Sequence, residues 1–232
     1  MRILILILLA AYGFYSCISH ATNHESAVTS TKKYIDPFTM IREGQALLKE
    51  GDLVVRLNQD PNSQFIKNFN RLDKNYSHAG IVLFENGYPF IYHIVNGDEN
   101  PGEKLRKDSL SHFGDPRKNL AFGIYRYKIS VPEIKKIKNL IHNWFKKGAQ
   151  FDPEFNLGSD DKMYCSEMIM KALANGTNNR ILIETSALTS TEARLFSFYQ
   201  HLPFAYTNNL KIVSIDNLYK NQFCDLIKKY SY

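Results

Sequence analysis

Cys165 opens the segment CSEMIMKAL, in which Met168, Ile169, Ala172 and Leu173 recur at helical spacing. That spacing puts the thiol in the first turn of a helix, on its core-facing side. The run NLGSDD a few residues earlier would end almost any preceding element. At a helix N-terminus, unpaired backbone N–H groups and the helix dipole favour negative charge, so a thiol there is expected to be held as thiolate. The same N–H groups can receive the oxyanion of a tetrahedral intermediate. The chemistry this suggests is acyl transfer, and it needs a base, usually an imidazole. Taken alone, a buried structural cysteine explains the position as simply.

Seven histidines could supply that base. His20 and His24 lie in the N-terminal segment, His142 falls within a strongly marked helix, and His112 and His201 sit beside turn-like sequence. His78 enters a strand through YSHAGIV, where Ala79, Ile81 and Leu83 point one way and His78, Gly80 and Val82 the other. Gly80 leaves room there for another chain or a ligand. His93, in PFIYHIVNG, shares a face with Ile91 and Val95, which should be buried, and a buried imidazole needs a partner. Orienting the ring of His78 would satisfy that need, with Asn96 and Glu99 as alternative orienting residues.

The elements that must position these groups follow from the pattern. IREGQALL is a short helix that runs into the turn Glu50-Gly51-Asp52, and DLVVRL is a strand. NSQFIKNFNRLD carries Phe65, Ile66, Phe69 and Leu72 at helical spacing. YSHAGIVLF and YPFIYHIV are strands joined by Asn86-Gly87, a hairpin signal that brings His78 and His93 together. NLAFGIYRYKI is a further strand. The best-marked helix starts at the capping box Ser130/Glu133, has Pro132 in its first turn, and stops at Gly148. Its apolar stripe runs from Ile134 to Phe145, opposite a lysine-rich face that reads as solvated surface. Gly176 is expected to terminate the Cys165 helix. Beyond it LKIVSI is a strand, and NQFCDLIKKYSY is at best a short helix.

With 232 residues and 44% hydrophobic content, the chain can bury one sizeable α+β domain, and it has no internal repeat. A net charge of +6 suits an anionic surface or acidic partner without implying nucleic acid, and none is expected. The start, MRILILILLAAYGFYSC, is a targeting segment, too short to span a bilayer as a mature helix. Cleavage after Ala21, or lipidation of Cys17, would each complete it. Residues 1–21 are therefore expected to be a signal, 22–40 a tether and 41–232 the domain. The expected destination is the periplasm or outer cell envelope, with membrane contact only if Cys17 carries the lipid. An oxidising compartment could join Cys165 to Cys224. Cys224 itself, in NQFCDLIKK, reads as a small buried apolar residue.

EGDLVVR, SQFIKNF, YSHAGIV and YCSEMIMKAL resemble, in this order, the YiiX/YebB-like cysteine hydrolases. These are a circularly permuted branch of the NlpC-type, papain-like superfamily, and the resemblance runs from about Leu47 to Leu173. It implies an α+β, circularly permuted papain-like fold, with an antiparallel sheet packed against helices and the nucleophile at a helix N-terminus. By this resemblance Cys165 matches the nucleophile and His78 the base. The family's third polar residue, often a glutamate, lies on the strand after the histidine strand; His93 takes that place, a departure from the commoner pattern. Tyr164 is expected to line the cleft or lend its hydroxyl to the oxyanion, and Ser77 and Asp52 to contact substrate or oxyanion with it. Asp152, in FDPEF, is expected to be a structural loop residue and Glu167 a helix N-terminal charge. The implied reaction is cofactor-free amide hydrolysis through a thioester. Its expected substrate is a peptide or acyl-amide of the cell envelope, foremost the cell-wall stem peptide. The alternative is acyl-lipid hydrolysis or acyl transfer, with the aromatic stretch from Phe196 to Tyr206 lining an acyl groove. A rival of another class is a non-catalytic envelope binding module in which Cys165, His78 and His93 hold zinc. No clustered Cys/His spacing supports a metal, and none is expected.

Overall fold

Six antiparallel strands in the order β10-β5-β1-β2-β3-β4 form the central sheet of the computed structural model, which describes residues 35–97 and 100–232. The ranges are β1 Leu53–Asn58, β2 His78–Glu85, β3 Tyr88–His93, β4 Arg106–Asp108, β5 Asn119–Tyr127 and β10 Cys224–Ser231. Leu53, Val54 and Val55 are all fully buried, because both faces of the sheet are covered. Asn86 (φ 48°) and Gly87 (φ 85°) form the tight hairpin turn, with both residues left-handed as such a turn requires. The turn sets Glu85 opposite Tyr88 and Ile81 opposite Tyr92. β4 then joins β3, with His93 opposite Arg106 and Ile91 opposite Asp108.

The helices are α1 Pro37–Leu47, α2 Pro61–Ile66, α3 Leu110–Phe113, α4 Val131–Lys147, α5 Cys165–Gly176, α6 Ser190–Gln200 and α7 Phe204–Thr207. One sheet face (Leu53, Val55, Ile81, Leu83) packs into a core with Ile137, Ile141 and Trp144 of α4 and Met168, Ile169 and Leu173 of α5. The other (Val54, Val82, Ile91, Phe122, Ile124) meets Ile41 of α1 and Leu110 and Phe113 of α3. In α4 the Glu133 carboxylate accepts from the Ser130 amide at 2.7 Å, and Gly148 (φ 74°) stops the helix. Gly176 serves packing more than termination: it is the last residue of α5, and a Cβ there would lie 2.2 Å from Cγ1 of Ile137. α4 and α5 can approach so closely only with hydrogen at that position.

Several expectations need correction. Residues 37–40, expected in the tether, are the first turn of α1, where the Asp36 carboxylate caps the Thr39 amide at 2.9 Å. Most of NQFCDLIKKYSY, Cys224–Ser231, is strand β10, not a helix. Phe223, Leu226, Ile227 and Tyr230 happen to fall at helical spacing because a bulge between Leu226 and Lys228 breaks the alternation. LKIVSI yields only the two-residue strand β9 (Lys211–Ile212), paired with β8 (Ser186–Ala187). α6, in a stretch with no clear apolar period, starts at a capping box formed by Thr189 and Glu192. Leu72, expected on an apolar stripe, is exposed. The expected signal with Cys17, residues 22–34 of the expected tether, and Glu99 lie outside the described residues. Among those described, no helix is long and apolar enough to cross a membrane.

Candidate active site

His78 is the first residue of β2 and His93 the last of β3, and both rings are buried. Nε2 of His78 lies 2.9 Å from Nδ1 of His93, and Nε2 of His93 lies 2.9 Å from Oδ2 of Asp108 on β4. Asp108 Oδ1 in turn accepts from Arg106 Nη2 at 2.7 Å. The ring of Phe113 closes over the pair, its centroid 5.6 Å from His78 and 5.0 Å from His93, edge-on to the latter. Gly80 makes the arrangement fit. A Cβ there would come within 2.4 Å of Ile91 Cγ2 and 3.2 Å of His93 Cβ, so its space is taken by the neighbouring strand rather than by a ligand.

Arg56 on β1 stands opposite His78 in register, buried, with Nη1 donating to the Phe113 carbonyl at 2.8 Å and its guanidinium over the Phe113 ring. Burial, and then the charge of Arg56, hold His78 well below the ordinary imidazole range. Burial likewise lowers His93 to about 4, against the opposing pull of Asp108. Burial raises Asp108, but its bonds to His93 and Arg106 outweigh that and hold it at about 2, so it is ionised at neutral pH.

Cys165 is the first residue of α5, half-buried, with Tyr164 at the cap position, where the Glu167 carboxylate accepts from the Tyr164 amide at 3.2 Å. Burial pushes the thiol up, and the pull of the Ala79 and Ser166 amides and of Arg56 does not reverse it. The resting state is therefore a neutral thiol and a neutral imidazole. The thiolate expected from the helix N-terminus alone is overridden by desolvation. Alkylation of Cys165 by iodoacetamide in the substrate-free protein should accordingly be slow at neutral pH and keep rising past the ordinary thiol pKa of about 8.5. A rate already level between pH 5 and 7 would show a preformed thiolate–imidazolium pair instead.

Cys165 and His78 line one cleft of about 620 Å³. Ile66, Phe69, Phe155, Phe196, Ile212 and Val213 give it an apolar wall, while Asn58, Gln59 and Asn62 lie along another part. Tyr164 lines it too, but its hydroxyl accepts from the Val213 amide at 2.8 Å and is part of the wall. Ser77 also faces the cleft, and its buried hydroxyl has no hydrogen-bond partner among the described residues.

Asp52 is not in the cleft, contrary to expectation. Both its oxygens are taken by Arg126 at 2.7 and 2.8 Å, and it accepts from the Lys49 amide, so it pins the turn before β1 to β5. Asn96 lines the cleft, yet the group that His93 bonds is Asp108, which the sequence reading missed. The one signal was the unmet need of a buried His93 for a partner; KLRKDSL gives no strand pattern of its own. Asp152 closes its loop by accepting from the Glu154 and Asn156 amides at 2.9 and 2.5 Å. Glu167 is fully buried, 3.0 Å from Lys171 Nζ, and burial pushes it up to about 7. Cys165 and Cys224 are separate free thiols.

These side chains do not fit a metal. The facing ring nitrogens of the two histidines are engaged with each other, and His93 Nε2 with Asp108. Among the described residues no group of three or more His, Cys, Asp or Glu could hold an ion.

Residues 47–214 match the family described as permuted papain-like amidase enzyme, YaeF/YiiX, C92 family. The chain belongs to this amidase family. It is thus a cysteine hydrolase of the amidase type, with the permuted papain-like fold. A solved structure that shares the fold is the metalloprotein yiiX from Escherichia coli O157:H7, with a TM-score of 0.64 and 18% identity. The match covers 79% of this chain and 98% of that one. No curated protein matches the chain in sequence. Within the amidase family the permuted order is visible here directly: the strands with the two histidines precede the helix that starts at the cysteine.

Proposed function

We propose that this amidase hydrolyses an amide bond in a cell-envelope molecule, with Cys165 as nucleophile, His78 as base and His93 orienting His78. The observation that carries the reading is the shared cleft, into which the thiol at the start of α5 and the imidazole at the start of β2 both open. The resting pair is neutral, so the proton moves when substrate arrives: His78 takes it from Cys165, and the sulfur attacks the amide carbonyl. The N–H groups at the start of α5, with the orphaned Ser77 hydroxyl, are the proposed donors to the oxyanion. His78 then protonates the departing amine, and water releases the acyl group from the thioester.

The envelope as workplace rests on the N-terminal run MRILILILLAAYGFYSC, and the stem peptide of the cell wall is the leading substrate. The apolar wall of Phe69, Phe155, Phe196 and Ile212 favours a second reading, an acyl-amide whose chain lies against it. Incubating the protein with muropeptides and, separately, with N-acyl amino acids, then weighing products and intact enzyme, tests both. Cleaved muropeptide with a transient peptidyl mass on Cys165 supports the first; a fatty-acyl mass there supports the second. Products without any adduct on Cys165 after rapid acid quench would overturn the thioester route.

A further inference from the structure

Asp108 lies outside the cleft, nine-tenths buried, and ends an unbroken file of hydrogen bonds that starts at His78. An ionised carboxylate can only accept, so the nitrogen of His93 that faces it, Nε2, must carry a proton. A neutral His93 then has only a lone pair at Nδ1, and Nε2 of His78 must donate to it. A neutral His78 is left with a lone pair on Nδ1. We propose that Asp108 is a positioning residue that acts through His93, fixing the proton of both rings on Nε2 so that His78 presents Nδ1 to Cys165 as a ready acceptor. The assignment rests on the reading of Cys165 and His78 given above.

The surroundings keep this arrangement from reversing. Asp108 Oδ1 is committed to Arg106, a donor in every protonation state, which leaves Oδ2 for His93. His112 stands 3.9 Å from Oδ2 on the solvent side, and Arg56 and Phe113 border the rings within. A commonplace polar contact would be satisfied by an amide as well as by a carboxylate; this one is not. In Asp108→Asn the single oxygen must face Arg106, so the NH₂ turns toward His93 and both rings must move their proton to Nδ1. His78 then meets the thiol with an N–H where a lone pair is required.

Nitrogen-15 spectra of the imidazoles in substrate-free protein read this without any turnover. In the wild type both His78 and His93 should show the Nε2–H tautomer, and in Asp108→Asn both should show Nδ1–H. Amide hydrolysis by Asp108→Asn should fall on the order of 10³-fold in kcat with KM within a few-fold of wild type, as expected when an orienting carboxylate is lost. A wild-type His78 protonated on Nδ1 would overturn the proposal, and so would Asp108→Asn with unchanged tautomers and kcat. If Asp108→Asn does not fold, the wild-type spectrum alone decides. A Cys165→Ala protein that still hydrolyses amides would instead sink the nucleophile while leaving the tautomers as stated.

Discussion

Cys165→Ala is expected to abolish amide hydrolysis, with kcat falling on the order of 10⁵-fold or more, because in the proposed thioester route every turnover passes through a bond to its sulfur. The backbone amides at the start of α5 and the cleft walls survive the change, so substrate should still bind. Cys165 is only half-buried as a residue and the change removes a single heavy atom, so the thermal midpoint should move by a few degrees at most. Product formation followed by mass spectrometry, beside a melting curve, separates loss of chemistry from loss of fold. Residual turnover above about one per cent in a folded variant cannot be reconciled with a thioester.

His78→Ala should cost on the order of 10³-fold at neutral pH. The resting thiol has no charge to lend, since burial pushes it up and holds His78 down, so removing the proposed base would strand the proton on sulfur. The sign of the pH response follows: the thiolate fraction grows tenfold per pH unit below the thiol pKa, so His78→Ala should recover steadily as the solution becomes alkaline. Wild type, with its own acceptor, should respond far less over the same range. Added free imidazole, small enough for a cleft of about 620 Å³, should restore part of the lost rate. A variant that keeps the wild-type pH profile would mean that another group accepts the proton.

Much of this site was written in local pattern. The Asn86-Gly87 turn fixed the register that brings His93 beside His78, and the periodicity after Cys165 put the thiol at a helix start. What escaped depended on partners distant in sequence. Asp108 sits on a strand of three residues whose existence depends on β3 already being there to pair with. Asp52 looked like a site residue because it lies in a motif, and only the fold reveals Arg126 holding both its oxygens. The thiolate expected from helix polarity failed for a related reason: desolvation is a property of the packed interior, not of the segment. In β10 a bulge disguised a strand as a helix, and such a bulge leaves no mark in composition.

Asp108, His93 and His78 are carried by three neighbouring strands within residues 78–108, whereas the thiol arrives on a helix that begins at residue 165. The three polar groups thus lie on one contiguous stretch of chain, braced by Arg56 and Phe113 from outside it, and the sulfur is docked against them through space, beside the Ala79 amide. Nothing in that junction depends on which part the ribosome makes first. A chain order in which cysteine precedes histidine, or follows it, would need only the same packing of strand against helix, which is how a permuted order is compatible with the same pairing of thiol and imidazole.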